Sequence, residues 1–147
     1  MINMTDAPPT QRLQLALNVK NLDDAIAFYS KMFGVEPARL RPGYANFAIA
    51  NPPLKLVLFE GAGPNGSLNH LGVETETADQ VVAAEARISG EGIETTGVDD
   101  TICCYAEKTE TWVHSPDSNR WEWCVKTGEA EQLENVVVGG SNGTCCP

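Results

Sequence analysis

The chain is short of positive charge, of histidine and of long apolar runs. Its 147 residues hold 10 Lys and Arg against 20 Asp and Glu, for a formal net charge of -10. Such a surface does not hold a phosphate backbone, nor does it favour an anionic bilayer, so nucleic acid and membrane drop out as partners. No stretch approaches the ~18 apolar residues of a membrane-spanning helix. The first eleven residues contain Asp6, Pro8 and Pro9 and lack the apolar run of a secretory signal. The expected location is therefore cytoplasmic, where thiols stay reduced. Five cysteines, an odd number, do not make a disulfide framework either.

What remains is ordinary globular material: 42% hydrophobic and 20% charged residues in 15.8 kDa, one domain's worth of chain. A polymer of this length buries about two-thirds of its unfolded surface and needs no covalent staple to fold. Four of the cysteines nevertheless fall in adjacent pairs, Cys103-Cys104 and Cys145-Cys146, while Cys124 sits in an apolar run and reads as a small core residue. Neighbours on a strand point to opposite faces, so an adjacent pair does not fit two equally buried core positions.

The hydrophobic pattern repeats. Leu13, Leu15, Leu17 and Val19 alternate with Gln14, Ala16 and Asn18, which predicts a strand with one greasy and one small, polar face. Asn21 opens a helix that Gly34 closes. Strands are expected at 44–50 and 55–60, with a further short one near 38–40. The second half follows with a strand at 68–75, a helix at 78–90, a short strand at 93–98, a hairpin of 101–106 with 109–114, and a last strand at 121–126. A shift of 56 lays Gln14 on His70, Ala16 on Gly72, Asp23 on Asp79 and Gly34 on Gly90. Two equivalent strands thus present a polar group followed by a small residue on the same face.

That face carries the candidate metal ligands. His70 needs partners, and the repeat nominates Gln14. Glu122, between Trp121 and Trp123, is costly facing a core unless it is paired or bound to a metal. Gln14, His70 and Glu122 together would form a facial N/O triad with open positions, which suits Fe(II) with dioxygen or substrate. Each residue also has a plainer use: a strand histidine satisfied in the core, or a glutamate facing solvent. His114, at a turn, reads as a surface or supporting residue.

The repeated strand–helix–strands, Phe28-Tyr29, Phe33-Gly34 and Ser115-Pro116-Asp117 ahead of Trp121-Glu122 resemble the vicinal oxygen chelate superfamily, which includes glyoxalases, extradiol dioxygenases and antibiotic-resistance proteins. The resemblance implies an α+β fold of two βαβββ modules, about 12–62 and 67–126, forming a half-open β barrel around a metal. The domain would span 1–126, with 127–147 as a mobile tail or covering loop. The family's ligand positions fall on Gln14, His70 and Glu122. The fourth falls near Val57, which cannot coordinate, with Glu60 close by as an alternative.

More specifically, 42–50, 51–58 and 68–74, together with Cys103-Cys104 inside Thr101-Ile102-Cys103-Cys104-Tyr105-Ala106, resemble the ArsI-type C–As lyases and cadmium-induced proteins. This branch implies an Fe(II)-dependent dioxygenase, with dioxygen as co-substrate, that cleaves trivalent organoarsenicals such as methylarsenite or reduced aromatic arsenicals. Soft trivalent arsenic prefers thiolates, so Cys103 and Cys104 would clamp the substrate. A regular strand would splay them, so a bend, bulge or mobile loop is expected there. Lys108 and His114 are the cations nearest in sequence to activate them. Tyr105 and Trp112 would line the pocket, and Cys145 and Cys146 would be a second capture pair or simply a chain end. A monomer or a homodimer fits two modules in one chain. The rival readings are a glyoxalase-like metalloenzyme and a non-catalytic thiol protein that sequesters arsenic or cadmium.

Overall fold

A computed structural model of the chain describes residues 11–134 and 136–137. Cys145 and Cys146 lie outside the described residues. The first module runs β1 (Arg12–Val19), α1 (Leu22–Phe33), β2 (Arg39–Arg41), β3 (Tyr44–Ile49) and β4 (Leu54–Glu60). The second runs β5 (Leu68–Glu74), α2 (Ala78–Gly90), β6 (Asp99–Cys103), β7 (Ala106–His114) and β8 (Arg120–Glu129), followed by the two-residue β9 (Val136–Val137). Both modules are therefore βαβββ units.

The helices begin and end where local chemistry dictates. The Asn21 side chain accepts from the Asp24 N–H, and Gly34 stops α1 in the left-handed region at φ 67. In α2, Thr77 and Gln80 form a reciprocal capping box. The repeat is looser at the other end. Gly90 is the last residue of α2 rather than its stop, and Gly92 takes the positive φ of 82. The strand expected at 93–98 does not form. Those residues are irregular, and the first strand after α2 starts at Asp99. The last strand runs beyond Lys126 to Glu129, where Glu107 pairs with Gly128 and Ala106 with Glu129 past a register shift in β7. Residues 130–133 then lie along the β6–β7 turn, and Val136 pairs with Ile102.

One nine-stranded sheet holds everything together, in the order β2-β3-β4-β1-β5-β8-β7-β6-β9. Its first eight strands are symmetric about the β1–β5 seam. β1 is parallel to β4 and β5 is parallel to β8, while β1 and β5 run antiparallel. The sheet curls so that one face becomes an interior. In the first module Leu15, Leu17, Phe47, Leu56 and Leu58 turn outward and pack against Ala25, Ile26, Tyr29 and Phe33 of α1. Each such side chain, where fully buried, stabilises by roughly 1.5–3 kcal/mol. The alternate residues of β1 face inward. Gln14, Ala16 and Asn18 are 4%, 0% and 5% exposed, so the polar face of this strand is the more deeply buried one.

Candidate metal centre and thiol turn

The symmetry of the sheet sets the positions of the triad. Across the seam, Gln14 pairs with Gly72 and Ala16 pairs with His70. Outward from the seam, Ala16 pairs with Val57 while Gly72 pairs with Glu122. Glu122 therefore occupies in the second module the place Val57 occupies in the first. Gly72 is required by this approach: a Cβ there would lie 2.7 Å from the Glu122 carbonyl oxygen. Glu60 is not part of the group. It sits at the end of β4, and its carboxylate accepts from the Leu22 N–H at the start of α1.

Gln14, His70 and Glu122 converge. The Gln14 amide nitrogen lies 2.9 Å from His70 Nε2 and 3.2 Å from Glu122 Oε1. The structure orients the imidazole as well. Asn69 Nδ2 donates to Asn18, so Asn69 Oδ1 is an acceptor, and it lies 2.7 Å from His70 Nδ1. His70 then carries its proton on Nδ1 and turns the Nε2 lone pair inward, as in histidine ligands held by an outer partner. Burial pushes the imidazole pKa down to about 4, against the pull of Glu122. Burial alone would raise the pKa of Glu122, but Lys108 and His70 hold its carboxyl well below the usual range. A neutral imidazole and a carboxylate thus aim lone pairs at one position, which the amide hydrogens of Gln14 satisfy. Turning that amide over would add a third oxygen or nitrogen donor of the kind a divalent first-row ion takes. The donor set fits such an ion. Groups of three or more His, Cys, Asp and Glu arranged for a metal are absent among the described residues, because the third donor here is an amide.

Around this triad stand charged groups whose role the sequence pattern does not reveal. Lys108 points its ammonium group at the carboxylate of the triad. It is 7% exposed, and its Nζ lies 3.1 Å from Glu122 Oε2 and 3.7 Å from Glu110. Glu110, itself 3% exposed, has its pKa pushed up to about 8, by burial first and by Glu122 second. Lys108, Glu110 and Trp112 alternate along β7, so period two alone places them on one face; their pairing with Glu122 comes from the β7–β8 register. His114 is exposed at the far end of β7.

Cys103 and Cys104 are brought together by a tight turn. Cys104 and Tyr105 are the two central residues between β6 and β7, at φ 53 and φ 62. Positive φ at both positions matches the right-handed twist of a hairpin, and Asn-Gly is the usual choice there. Non-glycine residues in the left-handed region cost about 1–2 kcal/mol each, and such strain concentrates at functional sites. The result is that the two sulfurs lie 3.2 Å apart on one side instead of splaying. The turn is held from outside: Cys104 N–H donates to the Leu133 carbonyl at 3.0 Å and Tyr105 N–H to Gln132 at 2.8 Å. Both cysteines and Tyr105 pack with Ala16, Val57, Phe59, Tyr44 and Trp112. Trp112 in turn meets the His70 ring at 5.1 Å, edge to face. Cys124 is buried on the triad's face of β8, with its sulfur 3.9 Å from Gln14 Oε1.

Comparison with known proteins agrees with this architecture. The model of the glyoxalase/bleomycin resistance protein/dioxygenase superfamily matches residues 11–123. A trivalent organoarsenical cleaving enzyme from Thermomonospora curvata is 49% identical over 92% of this chain and 87% of its own length. The cadmium-induced protein CadI of Mycobacterium bovis is 46% identical over 92% of each chain. Among solved structures, the Mn(II)-bound glyoxalase from Novosphingobium aromaticivorans superposes with a TM-score of 0.59 at 16% identity, over 85% of this chain and 43% of that one.

Proposed function

The chain belongs to the glyoxalase/bleomycin resistance protein/dioxygenase superfamily, and from that premise we propose that it is an Fe(II)-dependent dioxygenase that cleaves the carbon–arsenic bond of trivalent organoarsenicals. The observation that carries this reading is a juxtaposition: a buried Gln–His–Glu donor set and a strained turn presenting two sulfurs to one side share a single lined interior. The relative named a trivalent organoarsenical cleaving enzyme supports the substrate class.

Gln14, His70 and Glu122 would hold the iron. Fe(II) held there would offer open, redox-active coordination positions for dioxygen, the net electrons coming from the organoarsenical itself. The remaining work falls to the chain. A monosubstituted trivalent arsenical has two exchangeable positions, and the reduced Cys103-Cys104 pair satisfies both, holding arsenic inside the barrel. The turn fixes the two sulfurs before substrate arrives, so little ordering is left to be done on binding. Asn69 keeps the His70 tautomer that leaves Nε2 available, and Lys108 keeps Glu122 ionised. Trp112, Phe59 and Tyr105 exclude water from the space between thiols and triad. The products are arsenite and the oxidised organic fragment.

The test is to load the full chain with Fe(II) without oxygen, add methylarsenite and then admit air. Arsenite release that needs both iron and oxygen is the expected result. His70→Ala should lower that release more than a hundredfold and spare arsenical capture, whereas Cys103→Ser should abolish capture. Tight arsenical binding without turnover would instead make the chain a sequestering protein, a role compatible with the cadmium-induced relative.

A further inference from the structure

Half of the ten Lys and Arg residues line one cleft beside the metal centre. Arg12, Arg39, Arg41, Lys55 and Lys126 face it, against the carboxylates of Glu74 and Glu129, in a chain of net charge -10. Arg12 and Lys55 share one partner, Glu74, at 2.6 and 2.9 Å. The crowding of cations is felt by Lys126, whose pKa is lowered by burial and then by Arg39 and Lys55. Arg39 is the innermost of the outer group: its side chain is 10% exposed, and its Nε meets no acceptor among the described residues. A concave site in which five cations outnumber two carboxylates keeps a net positive field on its contents. Planar guanidinium groups suit the oxygens of a carboxylate or a phosphate. The cavity, about 450 Å³, has the size of a small-molecule site.

The cleft is linked to the thiol turn and to the triad through neighbouring residues. Ala130 bridges it to the turn: its carbonyl accepts from Arg39 Nη2 at 3.1 Å, and its N–H donates to the Tyr105 carbonyl at 3.0 Å. On the other side, Lys55 is the register neighbour of Gln14. Two acidic side chains at and just past the end of β8 already engage the arginines: Glu129 pairs with Arg39, and Glu131 lies 3.4 Å from Arg41. They are 60% and 79% exposed, hence readily displaced.

We propose that this cleft is an oxyanion-binding subsite, with Glu129 and Glu131 as internal stand-ins for its ligand. The oxyanion is a carboxylate or phosphate-type group, which arrives either as the acidic substituent of an organoarsenical held at the thiol turn or as a separate small anion. The first source rests on the lyase reading; the second does not.

Two measurements separate these. Calorimetric titration of benzoate and of inorganic phosphate into the metal-free full chain, in low-chloride buffer, reports the cleft alone. Binding should weaken about tenfold in Arg41→Gln and in Lys126→Gln, and tighten in Glu131→Gln, which removes an internal competitor. The thermal midpoint of each variant confirms that it is folded. In the iron-loaded enzyme, the KM for 4-carboxyphenylarsenous acid should lie about tenfold below that for neutral phenylarsenous acid, and Arg41→Gln should bring the ratio to parity. That pattern assigns the oxyanion to the substrate. Anion binding that depends on Arg41, without any preference among arsenicals, assigns the site to a separate anion. Absence of both, or anion binding that Arg41→Gln and Lys126→Gln leave intact, overturns the proposal. If methylarsenite, phenylarsenous acid and 4-carboxyphenylarsenous acid all fail to turn over, the lyase reading falls, and the titrations still decide the cleft.

Discussion

In the first module Ala16 lies beside Val57; in the second, at the same places in the ladder, Gly72 lies beside Glu122. The backbone plan is shared, and so are the strand order and the helix position. The interior is not. Val57 needs no partner and packs with Ala16, Phe59 and Tyr44. Glu122, wholly buried, needs a countercharge, and the second module provides Lys108 on the adjacent strand. A duplicated scaffold thus becomes an asymmetric site, with three donors around one point and an apolar wall where a fourth would stand.

Making the modules alike should be most damaging at the carboxylate. Glu122→Val strips buried Lys108 of its nearer carboxylate and leaves Glu110, 3.7 Å away, as its countercharge; it should cost about 3 kcal/mol, the low end for a broken buried pair. Urea denaturation of the metal-free protein should show this, and the double variant with Lys108→Met should recover most of it. If the single variant is as stable as the parent, the ion pair is not what holds the second module's interior.

Next comes the small residue beside it. Gly72→Ala, which copies the first module, drives a Cβ toward the Glu122 carbonyl and should cost about 1–3 kcal/mol. The reverse change, Ala16→Gly, meets no such constraint and should cost about 1 kcal/mol or less. Comparing the two denaturation midpoints measures how far the seam departs from symmetry.

The charges of the second module should also make stability depend on pH. Folded Glu110 keeps its proton up to about pH 8, whereas the unfolded chain releases it near 4.5, so the metal-free protein loses stability as pH rises through that window. His70 acts in reverse: the folded imidazole resists protonation down to about 4, so stability falls as pH drops below about 6.5. Between about 4.5 and 6.5 the two oppose each other. Above 6.5 the Glu110 slope stands alone, at most about 1.4 kcal/mol per pH unit, and Glu110→Gln should flatten it.

The smallest difference lies in the helix starts. Thr77→Ala removes a capping box and Asn21→Ala a single cap; each should cost about 1 kcal/mol, with Thr77 the larger. Thermal midpoints of the two variants rank them.

Period-two and helical patterns are local; they placed both helices and most strands within a few residues, but set the hairpin turn at 107–108, whereas the chain turns at Cys104 and Tyr105, and Glu107 and Lys108 belong to β7. They failed at 93–98, where Thr96 hydrogen-bonds Trp112 of β7 without a ladder forming, and at the end of β8, where pairing with β7 carries the strand past its apolar run. The weak repeat was enough to bring Gln14 and His70 to mirrored places across one seam, because the equivalence of two strands survives when most side chains have diverged. It could not reveal Lys108 as the partner of Glu122, since that contact depends on the β7–β8 register. Nor could it locate the basic cleft, whose residues are spread from Arg12 to Lys126.

By itself the sequence determined the two-module α+β plan, the small-residue positions that leave room beside polar groups, and the adjacent pair of cysteines. All of these depend on neighbours a few residues apart or on an exact internal shift. Only the tertiary structure decided that the polar face of β1 is an interior rather than a surface, that a hairpin turn at positive φ sets two sulfurs side by side, and that a lysine neutralises the buried glutamate. Those outcomes depend on how the sheet closes, and closure is a property of all its strands at once.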